Sequence, residues 1–303
     1  NSMFGGMPTT MITGNHEGDW TQKIYDAFLT GRRPATYLFI TLLGAFLLLL
    51  SLGIDKILAI GGAVAVAFCS YNMQIIQVGH NTKMMAIAWL PWVLAAVIFT
   101  YRSALGTYRK SEDNAGKCWK SWLPQAVLGA ALFGMALNFQ IKANHIQISY
   151  YLAIIIFCYA IGLFIWLVSG KERRRVIGKF FAASFLLLFL GIVGIGANAN
   201  KLIPMYRYSH QTMRGGSELT VEGNADKSKG LDIEYATSWS YGWQELPNLM
   251  IPNFNGGSSA GAVNPSKSET VKLLKRYGQT NVREVAKTLP LYWGPQPFTA
   301  GPM

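Results

Sequence analysis

Three short stretches of this sequence pair cations and histidines with amides, each beside a long apolar run. In "QVGHNTKMMAIAWLPWVL", His80 and Lys83 stand three apart, so a helical backbone puts them on one face, with Asn81 and Thr82 between. "NFQIKANHIQISYY" repeats the theme with Lys142, Asn144, His145 and Gln147, and "NANKLIPMYRYSHQTMRGGSEL" adds Lys201, Arg207, His210 and Arg214. Ammonium, guanidinium, imidazole and amide groups together suit a phosphate or pyrophosphate at an interface, whose oxygens Arg and Lys pair. A lysine at a helix mouth also snorkels and anchors, which is the plainer role for Lys83. His80 with Asn81 fits that account less well, because headgroup anchoring favours Trp, Tyr, Lys and Arg.

Carboxylates beside these cations are few. Glu17 and Asp19 precede a short amphipathic segment with Trp20, Ile24 and Phe28 on one side, for which Asp19 suits the N-cap and Gly31 the stop. A solvated or capping acid is the plainer role for both, so each is a weak catalytic candidate. Glu245 follows Trp239, Tyr241 and Trp243 in "WSYGWQELPNLMIPNF". Aromatic rings beside carboxylates and amides serve a sugar face or an interfacial belt equally well.

The elements that must position these groups are apolar. Hydrophobic residues make up 51% of the 303 and charged residues 14%, and the mean hydropathy is +0.23. Six apolar blocks follow one another near 37–53, 56–71, 84–101, 122–138, 146–169 and 180–199. A bilayer-spanning helix needs about 20 such residues, with roughly 17 as the lower limit. The second and fourth blocks are short, and either alone would also serve as a buried helix. Six in succession predict an all-α polytopic membrane protein with about six transmembrane helices. Pro91 is expected to kink the third and open a crevice below His80 and Lys83.

The loops orient the spans. "RSALGTYRKSEDNAGKCWKSW" and "KERRRVIGK" each hold five Lys or Arg against two and one acids, and short basic loops stay cytoplasmic. Alternation then places residues 1–36, 72–83, 138–145 and 200–303 outside, together with all four histidines. Three parts follow: a partial first outer loop at 1–36, a helical membrane domain at 37–199, and a mixed, irregular extracytoplasmic region at 200–303. Asn1 at the start and "PFTAGPM" at the end lead us to expect an internal piece of a longer protein. No CxxC, HExxH or GxxxxGK[ST] occurs, so a structural zinc, a zincin and an ATP motor find no support. Neither nucleic acid nor an organic cofactor is suggested, and a divalent metal is left open.

In order, "NSMFGGMPT", "GHNTKMMAIAWLP", "NHIQISYY", "YSHQTMRGGSEL", "WSYGWQELPNLMIPNF" and "YWGPQPFTAGPM" resemble the YfhO family of bacterial membrane proteins, over nearly the whole chain. That resemblance implies a fold related to the GT-C glycosyltransferases of the cytoplasmic membrane. Those enzymes move a sugar from a polyprenyl-phosphate carrier to an acceptor outside, a cell-envelope glycan or lipid. It implies further that His80, Lys83, His145 and Arg214 line an outer cavity, which Glu245 faces; the make-up of the three mouths adds Asn81, Asn144, Arg207 and His210 as expected lipid-phosphate contacts. The family's usual first-loop carboxylate is expected upstream of this chain, so Glu17 and Asp19 do not inherit its role. Two other classes compete. A transporter or flippase would keep ionisable groups near the midplane, which these spans lack. A non-catalytic envelope assembly protein would use the aromatic tail to hold a partner.

Overall fold

The computed structural model describes residues 2–3, 7–8, 19–28, 33–77, 79–106, 119–171, 173–209, 237, 242–251, 254–256, 268–288 and 291. Two short strands, β1 (Ser2–Met3) and β2 (Met7–Pro8), pair antiparallel with Ser2 opposite Pro8. Helices follow as α1 (Trp20–Phe28), α2 (Ala35–Ser51), α3 (Lys56–Ala67), α4 (Ser70–Gln77), α5 (Asn81–Leu105), α6 (Trp119–Lys142) and α7 (Ile146–Ser169). A 3-10 turn (Arg173–Val176) leads into α8 (Ile177–Gly196), and α9 is Ala199–Ser209. A 3-10 helix (Trp243–Leu249), α10 (Glu269–Arg276) and α11 (Val282–Thr288) complete the described elements. The chain divides into two compact units, one of residues 1–68 and 80–209, the other of 69–79 and 210–303.

Among the described residues, five stretches are long and apolar enough to cross a membrane: 56–77, 81–105, 121–142, 146–169 and 173–196. The first combines α3 and α4 across the turn at Phe68 and Cys69. The first of the six expected spans is α2, shorter at 17 residues. At 1.5 Å per residue it reaches about 25 Å, against a hydrocarbon core of about 30 Å. Two other spans outrun their expected limits. Helix α6 continues past 138 to Lys142 because Asn138, Gln140 and Lys142 turn inward, at 3, 0 and 7% exposure. Helix α5 starts at Asn81 instead of 84 and passes through Pro91, itself buried, as one continuous helix.

In the first unit, close backbone approach sets the packing. A Cβ on Gly44 would stand 2.6 Å from Trp92 Nε1, which donates to the Ile40 carbonyl at 2.9 Å and joins α5 to α2. These helices run parallel: the Tyr37 hydroxyl donates to Asn81 Oδ1 at one end, and Arg102 Nη1 donates to the Ser51 carbonyl at the other. Helix α6 runs against α5, with Phe139 beside Trp89 and Gly129 beside Thr100. Helices α6 and α8 meet through glycine. A Cβ on Gly134 would lie 2.6 Å from the Leu190 carbonyl oxygen, and one on Gly194 would strike the Gly134 carbonyl. One turn on, Asn198 Nδ2 donates to Asn138 Oδ1 at 2.8 Å. Both partners advance together, so α6 and α8 are parallel. The N-terminal ends of α2, α5 and α7 therefore share one side with the C-terminal ends of α6 and α8.

Beyond this core the helices are apolar outward. Only Leu152 and Leu167 of α7 are buried, while Phe157, Phe164, Ile165 and Trp166 are exposed. Helix α8 likewise exposes Phe185, Leu188, Phe189 and Ile192. A helix apolar all round has no face suited to water. At the end opposite α7's start, Arg173 lies 4.3 Å from the Trp166 ring centre and Arg174 Nε donates to the Val168 carbonyl at 2.7 Å.

Polar ties join parts of the second unit. The Ser70 hydroxyl donates to the Met250 carbonyl at 2.9 Å, and Asn248 Oδ1 accepts the Asn255 N–H. Within the mixed, irregular region expected at 200–303, α10 and α11 pack through Val271, Val282 and Ala286.

Candidate functional site

His80 and His145 occupy matching positions: each is the N-cap residue of a long apolar helix, α5 and α7, and neither side chain makes a capping hydrogen bond. Side chains at these positions sit beside the uncompensated N–H groups of a helix start, where the backbone carries partial positive charge. The helices bring the two histidines into one electrostatic neighbourhood with Lys83, which follows in the first turn of α5. Burial pushes the His145 imidazolium to a pKa below the ordinary histidine range, and the Lys83 and His80 charges push it further down. The neutral form of the His145 ring is thus favoured over the charged one.

The neighbouring polar residues have structural reasons as well. Asn144 sits just past α6 with φ of 59°, the left-handed conformation that asparagine tolerates better than other side chains that are not glycine. Asn81 accepts the Tyr37 hydroxyl bond. Gln140 Oε1 accepts from the Ser149 hydroxyl at 2.8 Å, tying α6 to the first turn of α7, and its buried Nε2 has no hydrogen-bond partner among the described residues.

A second group was hidden in the expected loops. Lys142, at the inward-facing end of α6, forms an ion pair with Asp19 and also points at Gln22 Oε1, 3.4 Å away. Asp19 does two jobs with two oxygens. Its Oδ1 accepts from the Thr21 and Gln22 N–H groups and the Thr21 hydroxyl, capping α1, while Oδ2 meets Lys142. Burial alone would raise the Asp19 carboxyl; the Lys142 ammonium and Thr21 hydroxyl outweigh it and hold the group below the usual carboxylate range. Lys201, in the first turn of α9, feels both members of the pair. Half-burial and repulsion from Lys142 lower its pKa, and Asp19 partly offsets them. Sequence singled out Lys142 and Lys201 only as parts of basic mouths. The spacing of Gly134, Asn138 and Lys142, four apart, was the available signal: it marks a single inward stripe on α6.

Helix α1 bridges this charged group and an apolar space. The side it turns to the protein is Thr21 and Tyr25, both buried, while Trp20, on the expected apolar side of the segment, is exposed. The Tyr25 ring lies 5.7 Å from Phe139 and 6.4 Å from Trp89, and burial pushes its hydroxyl pKa up. Trp89 and Phe139 in turn line a cavity of about 400 Å³ between α2, α5 and α6, walled by Leu47, Trp92, Phe99 and Leu132. Phe139 and Lys142 are three apart on α6, so the apolar wall and the cation share one face.

Arg207 is exposed on α9. Glu245 is in the second unit, buried, with its carboxylate accepting the Gly242 N–H at 2.5 Å. Glu17, His210 and Arg214 lie outside the described residues. No group of three His, Cys, Asp or Glu able to hold a metal ion occurs among the described residues. No family model, no curated protein and no solved structure matches the chain.

Proposed function

We propose that this chain belongs to a glycosyltransferase of the bacterial cytoplasmic membrane that transfers a sugar from a polyprenyl-phosphate donor to an acceptor outside. The observation carrying this reading is the convergence of His80, Lys83 and His145 at the starts of α5 and α7. Two helix N-termini and a lysine supply positive potential where a leaving phosphate needs it. In the reaction, the acceptor oxygen forms a bond to the anomeric carbon as the bond from that carbon to the phosphate oxygen breaks. The electron pair leaves on the polyprenyl phosphate, and the acceptor proton passes to a carboxylate. Asp19 is poorly suited to that last task, since it is committed to Lys142 and to the α1 cap.

The test is transfer by the full-length protein in proteoliposomes supplied with a panel of polyprenyl-phosphate sugars. Transfer is expected, with His80→Ala and Lys83→Ala lowering kcat/KM about 10²-fold or more. Transfer unchanged in both variants would overturn the site. No transfer across the panel, with movement of the lipid between leaflets instead, would replace the enzyme with a flippase.

A further inference from the structure

The stretch 242–256 of the second unit is built inside out. Its one charged side chain, Glu245, is 4% exposed, and Asn248 and Asn255 are buried with it. Trp243 and Met250 stand 89 and 85% exposed, and Leu246, Ile251 and Phe254 are exposed as well. Among the described residues of the stretch, Gln244 is the one polar side chain classed with them as exposed. A segment facing water has the opposite arrangement. The inward polar groups are used on backbone. Glu245 accepts the Gly242 N–H at 2.5 Å, Asn248 Oδ1 accepts the Asn255 N–H at 3.1 Å, and the Ser70 hydroxyl donates to the Met250 carbonyl at 2.9 Å. Pro247 and Pro252 bring no N–H to satisfy. Irregular backbone needs such internal partners wherever water is scarce, because lipid chains offer none.

We propose that the stretch 242–256 docks on the bilayer itself, with Trp243, Leu246, Met250, Ile251 and Phe254 among the acyl chains at the boundary with the headgroups. Ser70 lies inside the stretch 56–77, which is long and apolar enough to cross a membrane, and the 3-10 helix packs on α4, the second part of that stretch. The exposed apolar face is thus continuous with a membrane-crossing element. Tryptophan is enriched at the boundary, and the aliphatic and phenyl side chains suit the layer below it. Turning Glu245 inward keeps its charge out of lipid, where a carboxylate is costly. A sugar is the poorer occupant, since hydroxyls that leave water need hydrogen-bonding partners. The carboxylate and the two buried amides point away from the exposed face, so Gln244 alone offers one there. The aromatic stretch that sequence left between a sugar face and an interfacial belt is therefore assigned to the belt at Trp243. This docking requires 56–77 to lie in a membrane and is independent of sugar transfer.

The experiment uses the full-length wild-type protein in nanodiscs of phosphatidylcholine whose acyl chains carry a photoreactive diazirine. After illumination, peptide mapping should find lipid adducts on Trp243, Met250, Ile251 and Phe254, as on Phe157 and Phe185, outward-facing residues of α7 and α8. Adducts on α7 and α8 with none in 242–256 overturn the docking. Depth is read by a spin label at Met250→Cys, with Cys69, Cys118 and Cys158 replaced by alanine, from its collisions with oxygen and with a water-soluble nickel chelate. The label should lie about 5–10 Å into the headgroup and acyl boundary. A label on Lys272→Cys, a charged and exposed position of α10, gives the chelate contact expected in water. Equal chelate contact at Met250→Cys overturns the docking and leaves the aromatic face to a soluble partner such as a glycan. No readout involves a sugar donor, so failure here is told apart from failure of transfer.

Discussion

His145 and Asp19 both titrate away from their ordinary values, and each sets a different pH window for stability. Burial and the Lys83 and His80 charges lower the His145 pKa from 6.5, so the unfolded chain binds a proton that the folded chain refuses. Stability is therefore full above 6.5 and falls as pH drops through the folded value. Thermal unfolding in detergent between pH 7.5 and 5, on the order of two decades in proton concentration, should show that fall, and His145→Gln should flatten it. Asp19 works in acid. Its carboxyl lies below 3.8, so its contribution is complete above that value and is lost as pH falls through the folded one. At neutral pH, Asp19→Asn should cost about 1–3 kcal/mol, because a buried ammonium loses its anion. The difference from wild type should shrink as pH falls below 3.8 and the wild-type carboxyl protonates; a constant gap would show that the cap and not the charge matters. Sequence disclosed the types of these residues but not their partners. His80, Lys83 and His145 were legible as one group because each marks the start of a long apolar run. Lys142 was not, because a lysine after "NFQI" reads as the exit from a helix when the side chain in fact turns inward.

At the scale of elements, the contact of α6 with α8 is the most exacting. A Cβ on Gly194 would strike the Gly134 carbonyl and one on Gly134 the Leu190 carbonyl, so neither side has room for a methyl group. Gly194→Val should destabilise the first unit by about 1–3 kcal/mol, read as a lower midpoint of thermal unfolding. The same change should separate Lys142 from Lys201, so the pKa of Lys201 should move back towards the ordinary lysine value as Lys142 recedes. Gly162, on α7, has open space where a Cβ would go, and Gly162→Val should leave the midpoint nearly unchanged. Hydropathy located these helices, since uninterrupted apolar runs leave little choice. It misplaced their ends wherever polar side chains are buried in pairs, as with Asn138 and Asn198, because hydropathy scores each residue alone and a hydrogen bond between two of them is invisible to it.

For the whole molecule, the outward faces of α7 and α8 decide the solvent. Phe157 is exposed in the middle of a 24-residue helix with almost no buried side chains. In a bilayer, Phe157→Lys costs about 2.5–3.5 kcal/mol at the centre of the span, and membrane insertion should drop accordingly in a glycosylation-mapping assay. In water the same change would improve solubility. Sidedness follows from the shared ends of the helices: single cysteines replacing Gln147, in the first turn of α7, and Arg174, in the 3-10 turn after its other end, should react with an impermeant maleimide from opposite faces.

The pairing of Asn138 with Asn198 also dictates a sequence of events in time. The two residues are 60 apart in the chain, with all of α7 between them. At about 5–20 residues per second of synthesis, α6 waits roughly 3–12 s before its partner is made. Throughout that interval its inward stripe of Gly134 and Asn138 has no α8 and no Asn198 to cover it. A half-made chain thus has a transient need for shelter that the finished protein does not. Ribosome-bound intermediates ending before α8 are the species in which an insertase or a membrane chaperone would be found holding α6.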